Sequence, residues 1–238
     1  MRVSKLIYSF ICIILISSFI VLMISAFSKL TVSTTNVSYS KPLPAIVIDA
    51  GHGGEDGGAV SSEGILEKDI NLKIANTTAD FFRFMGFKVT QTRNTDIMLD
   101  SGEDTIRARK VSDMKKRLEI FNADTSNIIL SIHQNKFTES KYYGTQIFYS
   151  PNHQNSNALA ESIKHTVITL LQPENTRECK KADGNIYLLK NTTNPAVIIE
   201  CGFLSNPDEL SKLLTEKYRQ QMSYSITMGF LNFYNANY

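Results

Sequence analysis

The sequence predicts an α/β fold: a single domain with a mainly parallel, mixed central sheet flanked by helices on both faces, preceded by an N-terminal membrane segment. Short apolar runs alternate along the chain with stretches of helical period, the arrangement that gives parallel strands joined by helical crossovers. Three of those runs, AIVIDAGHGG (Ala45 to Gly54), NIILSIHQN (Asn127 to Asn135) and PAVIIECGFLSN (Pro195 to Asn206), lead into a histidine or a glutamate. The first 30 residues, finally, are composed unlike everything after them.

Arg2 and Lys5 precede Leu6 to Phe27, a run of 22 residues with no charge and no proline. A bilayer needs roughly 20 apolar residues, and a soluble helix would show a polar face that this one lacks. The run is longer than a typical signal core, which favours an anchor, although Ile24-Ser25-Ala26 offers a small-residue cleavage site. Basic residues ahead of the run place the N-terminus in the cytoplasm and the bulk of the chain outside it. The expected organisation is a signal or anchor over residues 1–29, a Ser/Thr-rich linker over 30–44 and a catalytic domain over 45–238.

Within that domain the expected elements follow in order. A strand at Ala45–Ala50 leads through a glycine-rich loop, Gly51 to Gly64, into a helix over about Glu67–Met85, stopped by Gly86. A strand at Phe87–Thr92, a charged loop, a helix at Thr105–Asn122 and a strand at Asn127–Ile132 come next. Then a strand at Gln146–Tyr149, a helix at Asn155–Leu171, strands at Ile186–Leu189 and Ala196–Glu200, and helices at Pro207–Leu214 and Tyr218–Tyr234 complete the chain.

Charge narrows the partners. Removing Arg2, Lys5 and Lys29 from the 25 basic residues leaves 22 against 23 acidic ones, so the exported part is nearly neutral and gives no support to nucleic-acid binding. Cys12 lies in the membrane segment, and Cys179 and Cys201 read as free, partly buried thiols. The side chain of Cys201 points away from that of Glu200, as neighbours in a strand do. The acidic run Asp96, Asp100, Glu103, Asp104 reads as solvated, with a calcium site as the alternative.

Ligands gather where parallel strands end, so His52, His133 and Glu200 are expected to converge there. Two imidazoles with a carboxylate and an open position make a catalytic zinc set. For the third ligand the spacing leaves Asp49, Asp56, Glu63, Glu67 and Asp69 open, and a first-turn glutamate at Glu67 is also what a helix dipole favours. Glu200 ends an almost wholly apolar strand, where an unpaired carboxylate is costly unless it has a chemical role. His153 and His165 read as loop and surface residues without a role. Arg93, Arg107 and Arg117 could recognise peptide carboxylates or serve in surface ion pairs.

The segments DAGHGGEDGGA, GILEKDINL, VTQTRNTD, SIHQN and IIECGFLSNPDE, in this order, resemble the zinc-dependent N-acetylmuramoyl-L-alanine amidases of the Amidase_3 family. NTRECKKADGNIYLLKN, GFLSNPDEL and the membrane segment look most like its sporulation-specific, CwlD-type cortex amidases. The resemblance implies His52, Glu67 and His133 as zinc ligands and Glu200 as the catalytic glutamate. It implies hydrolysis of the bond between N-acetylmuramic acid and L-alanine in peptidoglycan, outside the cytoplasm, during maturation of the spore cortex. Ala50 stands where the family usually has proline. No wall-binding repeat is recognisable, so an accessory protein at the membrane or in the intermembrane space is expected to place or activate the enzyme. The alternatives are a catalytically silent wall-binding protein, or another zinc hydrolase of peptidoglycan such as a carboxypeptidase or deacetylase.

Overall fold

The computed structural model describes residues 14, 16–18, 43–100 and 102–238. The expected membrane segment lies outside the described residues, except for positions 14 and 16–18, which are helical. Among the described residues no helix is long and apolar enough to cross a membrane.

From Leu43 onward the chain forms strands β1 (Ala45–Ala50), β2 (Lys88–Gln91), β3 (Asn127–Asn135), β4 (Gln146–Tyr149), β5 (Lys180–Lys181) and β6 (Ala196–Phe203). The helices are α1 (Glu67–Phe84), α2 (Ile106–Phe121), α3 (Asn155–Leu170), α4 (Tyr187–Asn191), α5 (Pro207–Leu214) and α6 (Glu216–Asn237). Local chemistry sets their ends. Thr105, Asn206 and Thr215 cap α2, α5 and α6 by accepting first-turn backbone N–H groups, and Pro207 enters α5 at its first turn. After α1 the chain reverses at Gly86, whose φ of 87° suits glycine.

The six strands lie in the order β2-β1-β3-β6-β4-β5, and neighbours pair in parallel except that β4 runs antiparallel to β6. The mixed, mainly parallel sheet is therefore as expected. Two elements differ from expectation. The apolar run Ile186–Leu189, expected as a strand, forms the start of helix α4, with Lys190 and Thr192 N–H groups bonding back to the carbonyls of Ile186 and Leu188. Four apolar residues fit either state, and burying Leu188 and Leu189 together beside β6 favoured one helical turn. The two-residue edge strand β5 went unforeseen because Lys180 and Lys181 carry no apolar signal.

Strand alternation divides the core in two. Ile46, Ile48, Leu130, Ile132, Val197, Ile199 and Cys201 face a large apolar layer built with α1, α3 and α6. Val47, Ile129, Ala196 and Ile198 face a smaller layer built with Phe121 of α2 and Leu188 and Leu189 of α4. Along that second face the strands change character towards their C-terminal ends. Asp49 follows Val47, Ser131 and His133 follow Ile129, and Glu200 follows Ile198.

Candidate active site

The chain leaving β1 turns sharply, and His52 sits there with φ of 61°, the sole non-glycine residue with positive φ among the described residues. Two buried arginines hold that turn. Arg117 of α2 donates to the carbonyls of Ala50 (2.8 Å) and His52 (2.7 Å) while pairing with Asp49 and with Asp113 (2.7 Å). Arg93 donates to the carbonyls of Ala50 (2.9 Å), Gly51 (3.0 Å) and Lys68 (2.9 Å). Lys68 adds a bond to the carbonyl of Gly54 (2.7 Å) and an ion pair with Asp96 (2.6 Å), whose other oxygen accepts the Gly54 N–H.

These contacts correct several expectations. Arg93 and Arg117 are 2% and 1% exposed, so they serve neither in surface pairs nor in contact with peptide carboxylates; their donors are used on loop carbonyls that a turn of this shape aims inward. Arg107 remains exposed. Asp49 is occupied by Arg117, Thr92 (2.7 Å) and Ser131 (2.5 Å); burial would raise its pKa, but Arg117 and the hydroxyls hold it below the usual range. Glu63 and Asp69 are exposed. Asp96, expected to be solvated, is tied to the loop.

The remaining candidate, Glu67, opens α1 and lies 3% exposed between the two histidines. Its carboxylate meets the His52 Nε2 at 3.2 Å and the His133 Nδ1 at 3.0 Å, and also accepts the N–H groups of Ala59 and Gln134 and the amide of Asn71. Burial favours its neutral form, but the imidazoles outweigh that and hold it well below the ordinary carboxylate range. The His52 Nδ1 donates to Asp56 at 2.7 Å, and Asp56 is paired in turn with Lys110 at 2.7 Å. Burial lowers the pKa of His52, yet its bonds to Asp56 and Glu67 raise it overall to about 9.

His52, Glu67 and His133 could hold a metal ion: each offers a ligand atom, and these atoms lie within 4.8 Å of one another. The surroundings fit an ion as well. A Cβ on Gly51 would come within 2.2 Å of the His133 ring, and one on Gly58 within 2.6 Å of both Glu67 and His52. An imidazole fixed through its second nitrogen by a carboxylate, as His52 is by Asp56, is the usual support of a metal-ligating histidine. The acidic run at residues 96–104 forms no such group among the described residues.

Glu200 is paired in register with His133, so the two side chains rise from neighbouring strands on one face. Glu200 is half-buried, its Oε2 is shut off from solvent without a hydrogen-bond partner, and desolvation raises its pKa to about 7. His52, His133, Glu200, Met114, Arg117 and Tyr187 border a pocket of about 320 Å³. Cys201 packs into the opposite layer, where burial pushes its thiol up, and Cys179 is likewise free, its thiol pushed up by burial to about 12. His153 accepts the Asn155 N–H at the start of α3, and His165 is exposed.

Sequence reasoning missed the roles of Asn71, Asp56 and Asp113. Asn71 could have been found, since it lies one helical turn after Glu67 on the same face of α1, from where it bonds both Glu67 and the Gly51 carbonyl.

Known proteins resemble this chain in sequence and in fold. Residues 46–232 match the Amidase_3 family, N-acetylmuramoyl-L-alanine amidase. The germination-specific N-acetylmuramoyl-L-alanine amidase of Bacillus subtilis is 36% identical over 199 residues, covering 82% of this chain and 83% of that relative. The CwlD amidase of Clostridioides difficile, solved in complex with the GerS lipoprotein, superposes with a TM-score of 0.79 at 38% identity, covering 82% of this chain and 100% of that one. A second N-acetylmuramoyl-L-alanine amidase from Clostridium difficile 630 gives 0.72 at 26% identity, covering 83% and 100%. The chain therefore belongs to the Amidase_3 family of N-acetylmuramoyl-L-alanine amidases.

Proposed function

We propose that this chain is a zinc-dependent amidase that cuts the bond between N-acetylmuramic acid and the L-alanine of the stem peptide, with His52, Glu67 and His133 holding the metal and Glu200 moving the proton. The observation that carries the reading is the buried Oε2 of Glu200, left without a partner in the pocket that His52 and His133, two donors of the three-donor metal-type group, also border. Zinc held by those donors supplies Lewis acidity towards the scissile carbonyl and makes a water molecule more acidic.

The protein's own groups do the rest. Glu200, whose Oε2 has no partner in the protein, accepts a proton from the attacking water as the new C–O bond forms. It returns that proton to the alanine nitrogen as the C–N bond breaks, giving a lactyl carboxylate and a free amine. Asp56 keeps His52 in the tautomer that presents Nε2, and Arg93 and Arg117 fix the turn that carries it.

The products are a glycan stripped of its peptide and a stem peptide with a free amino terminus. The germination-specific relative supports a place in cortex maturation, where stripped muramic acid is the precursor of muramic-δ-lactam. The lipoprotein complex of the CwlD relative supports a membrane-associated accessory partner here; the peptidoglycan substrate places the work outside the cytoplasm, and the anchor rests on the uncharged run Leu6 to Phe27. The test is mass spectrometry of products from peptidoglycan incubated with the full-length, zinc-loaded chain. Stem peptides beginning with free L-alanine are expected, and Glu200→Gln should cut turnover by about 10²–10⁴-fold while zinc stays bound. Release of D-alanine or acetate instead would replace the amidase reading.

A further inference from the structure

Beside the pocket lies a larger concavity that the chemistry above leaves unused. It is a groove of about 610 Å³, floored by Ile106, Val111 and Met114 of α2 and by Tyr187 of α4, and rimmed by Arg107, Lys110 and Lys115. Met114 and Tyr187 border both cavities, so the groove opens directly from the catalytic pocket. Its apolar floor is open to solvent: Ile106 is 52% exposed, Val111 51% and Tyr187 39%. Lys110 is engaged by Asp56, whereas Arg107 and Lys115 stand on the rim, and no carboxylate is among the lining residues.

Helix α2 serves both cavities. Asp113, Arg117 and Phe121 are buried, where they hold the metal loop and the core. Ile106, Lys110 and Met114, one turn apart along the same helix, line the groove: Lys110 reaches Asp56 and Met114 packs against the smaller core layer, while Ile106 and Val111 stay exposed.

A substrate cut at Glu200 has a sugar on one side of the scissile bond and a peptide on the other, and the peptide has to leave the pocket along some path. A stem peptide presents alanine methyl groups interspersed with carboxylates. An apolar floor with a cationic rim complements that pattern, where a neutral sugar strand would call for polar partners along the floor. On the amidase reading given above, we propose that the groove along α2 holds the stem peptide, with Ile106, Val111, Met114 and Tyr187 against its methyl groups and Arg107 and Lys115 against its carboxylates. Arg107 and Lys115 are then specificity-determining residues: they raise kcat/KM for substrates with a full peptide over those ending at L-alanine.

The experiment compares N-acetylmuramoyl-L-alanine with N-acetylmuramoyl-tetrapeptide as substrates of the full-length, zinc-loaded chain. In an Arg107→Ala/Lys115→Ala variant the preference for the longer substrate should fall about tenfold, chiefly through KM, two partly desolvated ion pairs being lost. Arg107→Lys should retain most of the preference, and Val111→Glu should lower it. In parallel, equilibrium dialysis of the free tetrapeptide against the Glu200→Gln protein measures binding without turnover, and the double variant should bind about tenfold more weakly. An unchanged preference together with unchanged dialysis overturns the proposal, as does a variant that keeps both while losing only a protein partner. Because dialysis needs no catalysis, peptide binding without hydrolysis would overturn the amidase reading and leave the groove assignment standing.

Discussion

The two faces of the sheet are built from the same strands but differ in kind. On one, Ile48, Leu130, Ile132 and Ile199 are fully buried beneath α1, α3 and α6, and apolar character continues along the strands until Gln134, which bonds to Asn71 of α1. On the other, the thinner cover of α2 and α4 spans only the first half of each strand, and Asp49, Ser131, His133 and Glu200 fill the second half. The contrast teaches that one strand can anchor and react at once. Period-two alternation lets residue i pack the core while residue i+1 carries chemistry, so Ile132 and His133, or Ile199 and Glu200, have unrelated tasks.

The largest effect expected is at the buried charges of the reactive face. Arg117→Ala strands Asp49 and Asp113 and releases two loop carbonyls, and should cost about 3–5 kcal/mol in denaturant unfolding. If the loss is under about 1 kcal/mol, the two arginines do not hold the turn. On the apolar face Leu130→Ala should cost about 2–5 kcal/mol through transfer and cavity terms, with little change in zinc affinity. A drop in zinc affinity as large as the drop in stability would erase the division between faces.

Glu200 should go the other way. Its pKa is about 7 in the folded protein against an ordinary 4.5, so the folded state favours the protonated carboxyl. The stability this gives is fully present below about pH 4.5 and is lost as pH rises through 7. In metal-free protein, Glu200→Gln should therefore be the more stable form at about pH 8, by up to about 3 kcal/mol, with the gap closing towards about pH 4. Melting curves with chelator across that range decide it; a constant gap means that Glu200 is not desolvated as described. The smallest effect is expected at Asp56→Asn, which weakens the orientation of His52 and should lower zinc affinity about 10- to 100-fold in chelator competition while hardly moving the melting temperature.

What could be read from the sequence divides along the same lines. The strands that lead to His52, His133 and Glu200 were legible because a mainly apolar run of that length with an ionisable residue at or just past its end fits a buried strand with a reactive group there and little else. Glu67 was not selected by spacing, since five carboxylates lay within reach, and only the family resemblance singled it out. Arg93 and Arg117 were misread because arginine is usually exposed, and nothing in a linear chain reveals that the carbonyls of residues 50–52 turn inward and need donors. Helix α4 was misread because a four-residue apolar run has no period to measure.

The outer strands of the sheet have a consequence for how the protein survives crowding. One edge, β2, begins with Lys88, and the other, β5, is only Lys180 and Lys181, fully charged and two residues long. An incoming strand from another molecule would find almost no ladder to extend and would have to bury ammonium groups to extend it. Many copies gathered on one surface can thus stand side by side without zipping into aggregates, and the long apolar strands that anchor the core stay hidden in the middle of the sheet.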